Sequence, residues 1–372
     1  MTRRALVVTV VHHPQDSRIR ARQIAALLEA GWEVTYAAPF TACDLPIPKG
    51  DALTGIDLPR AGGRRRLAAA RAARGLLARE GPSHDVVLVH DPELLLAATG
   101  LGLDHLVWDV HEDPAAALEV KEWMPRPLRG VAGRLWRGVE RLAERRWPLL
   151  LAEHAYAERF ARPHEVIPNT ATVPEQAAPV GSERVVYVGN VTMARGVEVM
   201  AEVAHQVRSA TDGAVTVHVI GPARDARSTE VLSRSHDAGD LVWHGFVPSA
   251  DAMDLLDGAL AGLSLLRDLP NYRPSMPTKV VEYLAHGVPA ITTPLPLAVD
   301  LIERSGGGVV VPFDDPDAVT AAILAWRRNP ADAAAVGARG HSYAREHVDW
   351  GEQSPQFVAA LEDIAARLSP RR

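Results

Sequence analysis

The stretch RVVYVGNVTMARG, residues 184–196, begins a β/α alternation for the second time in this chain. Its continuous apolar run predicts a strand buried on both faces, as a parallel sheet covered by helices requires. The strand ends in Gly189, a short loop follows, and Arg195 and Gly196 precede a helix predicted from about Val197 to Arg208. Glycine lets the backbone approach a ligand, a helix N-terminus offers unpaired N–H donors, and Arg195 presents a planar fork matched to phosphate oxygens. Every βαβ unit has such a turn, so this one gains meaning only beside a second anion-binding feature.

Downstream, VTVHVIGPA (215–223), LVWHGFV (241–247), GLSLL (262–266), PAITT (289–293) and GGVVVPF (307–313) continue the alternation. Upstream, an equivalent series runs ALVVTVV (5–11), a helix to Ala30, WEVTYAA (32–38), DVVLVH (85–90) and HLVWDVH (105–111). Gly31 suits the left-handed position after the first helix. The last two strands end in polar clusters, HDPE and HEDP, where ligands collect in open α/β sheets. Between the series, VIPNTATVPEQAAPVGSE (166–183) reads as a linker. Two such halves in 372 residues predict an α/β protein of two facing Rossmann-like domains with an interdomain cleft. The expected boundaries are 1–172 and 173–345. A helical stretch from about Ala331 to Leu368 is long enough to pack back on the first domain, giving a third segment, 346–372.

The second anion-binding feature is PTKVVEYLAHGVPAITT, residues 277–293. It sets Lys279 in the first turn of a predicted helix and Glu282 three residues on, on the same face. A cation there costs a few tenths of a kcal/mol, about 0.3 or more, against the helix dipole unless an anion docks beside it. Glu282 can accept hydrogen bonds from ring hydroxyls. An anion beside a hydroxyl-bearing ring describes a sugar nucleotide; a solvated intrahelical ion pair is the plainer alternative.

Composition narrows the classes. A single cysteine, Cys43, excludes an intramolecular disulfide and a thiolate metal cluster, and suits a reducing cytoplasm. No apolar run approaches the roughly 18 residues of a spanning helix, and MTRRALVVTVVHHP turns polar too early for a signal peptide. A cytoplasmic protein is expected. The net charge of -6 and the lack of a binding motif argue against nucleic acid. The histidines His12, His13, His90 and His111 lack metal-ligand spacing, and Asp314-Asp315 reads as a helix cap.

RPLRGVAGRLWRGVERLAERRW (126–147) spaces Leu128, Val131, Leu135, Val139 and Leu142 at helical intervals, leaving Arg129, Arg134, Arg137, Arg141 and Arg145 mostly outside that stripe. Such a helix solvates its arginines, which is the commoner case. It can also lie peripherally on the anionic inner face of a membrane, or use Arg129 and Arg137 to receive a lipid phosphate.

Taken in order, DSRIRARQIAALLEAGWEVT, VHDPELLLAA, WDVHEDP, VIPNT, YVGNVTMARG, HVIGPA, WHGFV and RPSMPTKVVEYLAHGVPAITT with GGVVVPFDDPDA resemble the GT-B glycosyltransferases, specifically the large retaining family 4. The resemblance covers nearly the whole chain. It implies transfer of a sugar from a nucleoside diphosphate, UDP-sugars being favoured, to a hydroxyl of a small-molecule, glycan or lipid-linked acceptor. Anomeric configuration is retained, and no metal or other cofactor is required.

By the same resemblance the C-terminal domain holds the donor through Gly189, Asn190, Arg195, Gly221, Met276, Pro277, Thr278, Lys279 and Glu282, with Gly245, Phe246 and Val247 against the base. Arg195 and Lys279 neutralise the diphosphate, and Glu282 binds the ribose. His111 meets the donor sugar across the cleft. Asp16, Arg18, His90 and Asp91 join it on the acceptor side. The plainer readings are a core or capping role for His111, a helix cap for Asp16 and a surface cation for Arg18.

Two positions depart from the family pattern. Pro274 stands where the first of two glutamates is usual, and Asn190 where an arginine usually follows the turn glycine. The alternatives to a transferase are a noncatalytic GT-B partner that binds nucleotide or glycan, and a GT-B sugar-nucleotide epimerase. The composition leaves the oligomeric state open.

Overall fold

The computed structural model describes residues 2–111, 113–115 and 126–368. Glu112 of the HEDP cluster and the side chain of Leu128 lie outside the described residues. The chain forms two compact units, Met1–Asn169 with Glu352–Arg372 and Thr170–Gly351.

The first unit is built on β1 (Arg4–Val8), β2 (Glu33–Ala38), β3 (Leu53–Asp57), β4 (Val86–Val89), β5 (Leu106–Val110), β6 (Leu149–Leu151) and β7 (Glu165–Val166), in the order β3-β2-β1-β4-β5-β6-β7. Neighbouring strands are parallel. The apolar runs of β1, β4 and β5 are buried along their length, the burial a doubly covered sheet demands. Strand order reverses between β1 and β4, so the loops after these two strands share the crevice where open α/β sheets bind ligands. The wide π-type turn Ser17–Ile24 runs directly into helix Ala25–Glu29, and Gly31 follows with φ 79°.

The second unit repeats the plan with β8 (Arg184–Val188), β9 (Thr216–Ile220), β10 (Leu241–Gly245), β11 (Ala261–Ser264), β12 (Ala290–Thr292) and β13 (Gly308–Val310), ordered β10-β9-β8-β11-β12-β13 and parallel throughout. Its order reverses between β8 and β11. Helix Val197–Ala210 buries Val197, Met200, Val203, Ala204 and Val207 on the sheet, one stripe at helical spacing. Helices Pro316–Arg328 and Pro330–His347 close the unit, and helix Trp350–Leu368 carries the chain back to the first unit.

One helix reverses the expectation drawn from its sequence. In Arg126–Arg146 the apolar stripe is not the packed side: Leu135 is 68% and Leu142 65% exposed, and Val131 is exposed as well. Glu140, at 0% exposure, Ala143 and Glu144 face inward instead. The glutamates tolerate burial because each is paired. Glu140 accepts from Arg159 and, at 2.8 Å, from Arg137; Glu144 accepts from the backbone N–H of Arg162 at 2.7 Å and contacts His164 at 3.0 Å. Arg137 also donates to Asp113 at 2.8 Å, so it is a tie within the unit and not a recruiter of lipid phosphate.

Candidate functional site

In the second unit, the loop after β8 and helix Thr278–Ala285 meet. Helix Thr278–Ala285 is held by Tyr283, whose hydroxyl donates to the carbonyl of Leu263 on β11 at 2.9 Å and accepts from Val188 N–H on β8 at 3.2 Å. Gly262 makes room for the ring, since a Cβ there would strike it. One turn earlier, this anchorage sets Lys279 against Gly189: a Cβ on Gly189 would lie 3.3 Å from Lys279 Cε and 3.4 Å from Nζ. Lys279 is only 9% exposed, so the solvated-pair reading does not hold.

Arg195 stands beside it, half-buried, donating to the carbonyl of Asn190 at 3.3 Å. Burial and then the charge of Arg195 push Lys279 down to about 7, with Glu282 pulling the other way more weakly. Repulsion between the two cations thus exceeds the attraction of the nearby carboxylate. A bound diphosphate reverses this balance. Because Lys279 has a lowered value in the free protein, anion binding between about pH 7 and the ordinary lysine range near 10.4 takes up a proton. Calorimetric titration of UDP at pH 8, repeated in buffers of different ionisation enthalpy, is expected to show that uptake; equal heats in all buffers would contradict it.

Among the other expected donor contacts, Gly189 and Gly221 approach so closely that a Cβ on Gly221 would overlap the Gly189 carbonyl, and both have positive φ. These glycines keep the phosphate turn thin. Asn190 does not present its side chain freely, since Arg224 Nε donates to its Oδ1 at 2.7 Å. Arg224 thereby brings a guanidinium to the turn where the sequence has no arginine; its position directly after GPA at the end of β9 was the available signal. Met276 and Val247 pack on the core beneath helix Thr278–Ala285, and Pro277 caps that helix, with Thr278 opening it. Glu282 is half-buried one turn from Lys279. Gly245, with φ 68°, and exposed Phe246 sit at the end of β10, two strands from β8, or roughly 10 Å along the sheet. Asp315 accepts from Ala318 N–H at 2.9 Å as a helix cap, and Asp314 pairs with Arg267 at 3.1 Å.

In the first unit, polar side chains gather where β1, β4 and β5 end. Asp109, within β5 and fully buried, accepts from Arg18 Nε at 2.8 Å, Arg18 Nη2 at 2.7 Å and Gln23 Nε2 at 3.1 Å. Burial would raise its carboxyl, but the charge and hydrogen bonds of Arg18, with His111, hold it well below the usual range. Arg18 also donates to Asn169 and to the carbonyl of Ile167, each at 3.0 Å. Arg18 is therefore neither a surface cation nor an acceptor contact; it ties the first helix to β5.

Asp91 is likewise buried and accepts from Thr9 Oγ1 at 3.0 Å and from the N–H groups of Val10 and Val11, fixing the loop after β1. Buried His90 contacts Gln23 Oε1 at 2.7 Å, and burial, only partly opposed by Asp109, lowers it to about 3, so it stays neutral. These two shape the floor of the crevice instead of reaching an acceptor. Asp16 caps the turn that follows it, accepting from Arg18 and Ile19 N–H at 2.9 and 3.1 Å, and keeps partial exposure.

His111 is also partly exposed. Its Nδ1 lies 3.1 Å from the Asp109 carbonyl, leaving Nε2 to meet His12 Nε2 at 3.0 Å; His12 Nε2 is in turn 3.3 Å from Asp91. The sequence reading missed Asp109 and the role of His12. A lone carboxylate inside the apolar strand LVWDV was the signal, because such a charge needs a buried cation.

No curated protein matches the chain. Residues 182–329 match the model of the family described as glycosyl transferases group 1. The chain has the GT-B fold, shared with solved structures across nearly its whole length. Sucrose-phosphate synthase from Thermosynechococcus elongatus superposes with a TM-score of 0.75 at 18% identity, covering 99% of this chain and 100% of that one. Anabaena HepE in complex with UDP and glucose gives 0.69 at 12% identity, covering 97% and 100%. WaaG, a glycosyltransferase involved in lipopolysaccharide biosynthesis, gives 0.66 at 13%, covering 98% and 99%. No helix among the described residues is long and apolar enough to cross a membrane.

Proposed function

We propose that this protein transfers a sugar from a nucleoside diphosphate sugar, UDP-linked in the first instance, to an acceptor hydroxyl with retention at the anomeric carbon. The observation that carries the reading is the pair of adjacent cations, Arg195 and buried Lys279, aimed at a glycine turn that admits a close ligand. A helix N-terminus next to them adds its dipole. That HepE binds UDP and UDP-glucose supports the choice of donor. Glu282 binds ribose hydroxyls, and Gly245, Phe246 and Val247 lie against the base.

In the reaction the bond from the anomeric carbon to the phosphate oxygen breaks while one to the acceptor oxygen forms, and the acceptor proton passes to the departing phosphate oxygen. The negative charge that grows on the diphosphate is what Arg195 and Lys279 stabilise; such preorganised charge is where catalysis gains most. The first unit holds the acceptor, which is a small molecule, a glycan or a lipid-linked sugar, and His111, held by Asp109, serves the reacting sugar. The protein acts in the cytoplasm.

A thermal-shift panel of UDP, GDP, dTDP and ADP tests the donor side. A ligand at 100 times its dissociation constant stabilises by about 2.7 kcal/mol. A selective upward shift with UDP is expected, and Glu282→Ala should diminish it. No shift with any nucleotide would overturn the reading in favour of a noncatalytic GT-B partner.

A further inference from the structure

We propose that the outward face of helix Arg126–Arg146 docks this protein on an anionic lipid bilayer. Val131, Leu135 and Leu142 form one exposed row along the helix. Exposed Leu96, on the neighbouring helix Pro92–Ala98, continues it: Leu96 and Leu142 line one shallow hollow with Leu95, Val139 and Trp147. Arg134, Arg141 and Arg145, also exposed, form a second row, which at about 100° per residue lies roughly 80° around the helix axis from the apolar one.

The charge pattern decides the occupant. The helix has seven arginines and two glutamates, and both glutamates are turned inward and paired. The exposed side is thus left with apolar and cationic groups alone. A folded protein usually buries such leucines and solvates such glutamates; the inversion here yields a surface that a bilayer complements at two levels. Leucines enter the acyl boundary while the flanking arginines reach anionic headgroups. Protein interfaces, by contrast, deplete charge at their cores. The inference stands on the first unit alone and is independent of the donor chemistry.

Co-sedimentation of the full chain with phosphatidylglycerol–phosphatidylcholine vesicles, against pure phosphatidylcholine vesicles, tests it. Wild type is expected to bind the anionic vesicles and to release with rising salt. Neutralising Arg134, Arg141 and Arg145 to Gln should weaken binding on the order of 100-fold. Leu135→Gln with Leu142→Gln should weaken it at least about ten-fold. Both variants should retain the wild-type melting temperature, since the altered side chains are exposed. Wild type that stays in the supernatant, or variants that pellet like wild type, would overturn the proposal. So would sedimentation velocity showing a dimer that the two leucine substitutions dissociate, because the face would then serve a second copy.

Discussion

Replacing Lys279 by methionine is expected to lower kcat/KM for the sugar-nucleotide donor roughly 10²–10³-fold, as loss of one preorganised charge at a developing anion does elsewhere. The same change should leave the melting temperature at or above that of wild type. Methionine keeps the aliphatic stem that packs by Gly189 and removes a charge that burial and Arg195 both disfavour. The sign follows from linkage: a lysine with a lowered folded value binds fewer protons than in the unfolded chain between about pH 7 and 10, so its charge is a liability on folding and stability rises with pH there. Steady-state kinetics paired with scanning calorimetry separate the two effects. Reduced activity with a reduced melting temperature would make Lys279 a packing residue, and unchanged activity would remove it from the donor site.

Asp109→Ala should be the most damaging single change to stability in the first unit, at about 3–5 kcal/mol, because it strands the Arg18 guanidinium in the interior. Gln23 loses a partner too, and His111 loses a carboxylate 3.5 Å from its Nδ1. Removing the cation along with the anion, as Arg18→Met with Asp109→Leu, should recover part of the loss. Urea denaturation followed by tryptophan fluorescence reads this out, Trp108 being the residue immediately before Asp109. A double substitution as damaging as Asp109→Ala would show that the carboxylate acts through something other than Arg18.

The β/α alternation was legible because buried parallel strands leave continuous runs of β-branched and aliphatic residues, as in Leu6–Val8, Val86–Val89 and Val185–Val188. Leu53–Asp57, Leu149–Leu151 and Glu165–Val166 escaped notice: they lie toward the sheet edges, and the last two are too short to show a period. On the donor side, Lys279 and Gly189 were legible because helix starts and strand-end glycines have local signatures. Arg224 was not, since its closeness to Asn190 arises from the pairing of β8 with β9, which no local pattern encodes. The same limit applies to Arg18 and Asp109, 91 positions apart. The helix Arg126–Arg146 shows a different failure. Periodicity reveals that two faces exist, but which one packs was decided by Arg159 and His164, residues from outside the helix.

The last helix alters the order in which the molecule can be made. Phe357, Leu361 and Ala365 are buried, and Arg3 and Glu165 form polar contacts with Glu362 and Gln356. The unit that is synthesised first is therefore completed last, by residues that leave the ribosome after Thr170–Gly351 has already emerged whole. For most multidomain chains vectorial synthesis lets the N-terminal domain fold ahead of its successor. Here the first sheet gains its closing helix only after the whole inserted unit has been synthesised.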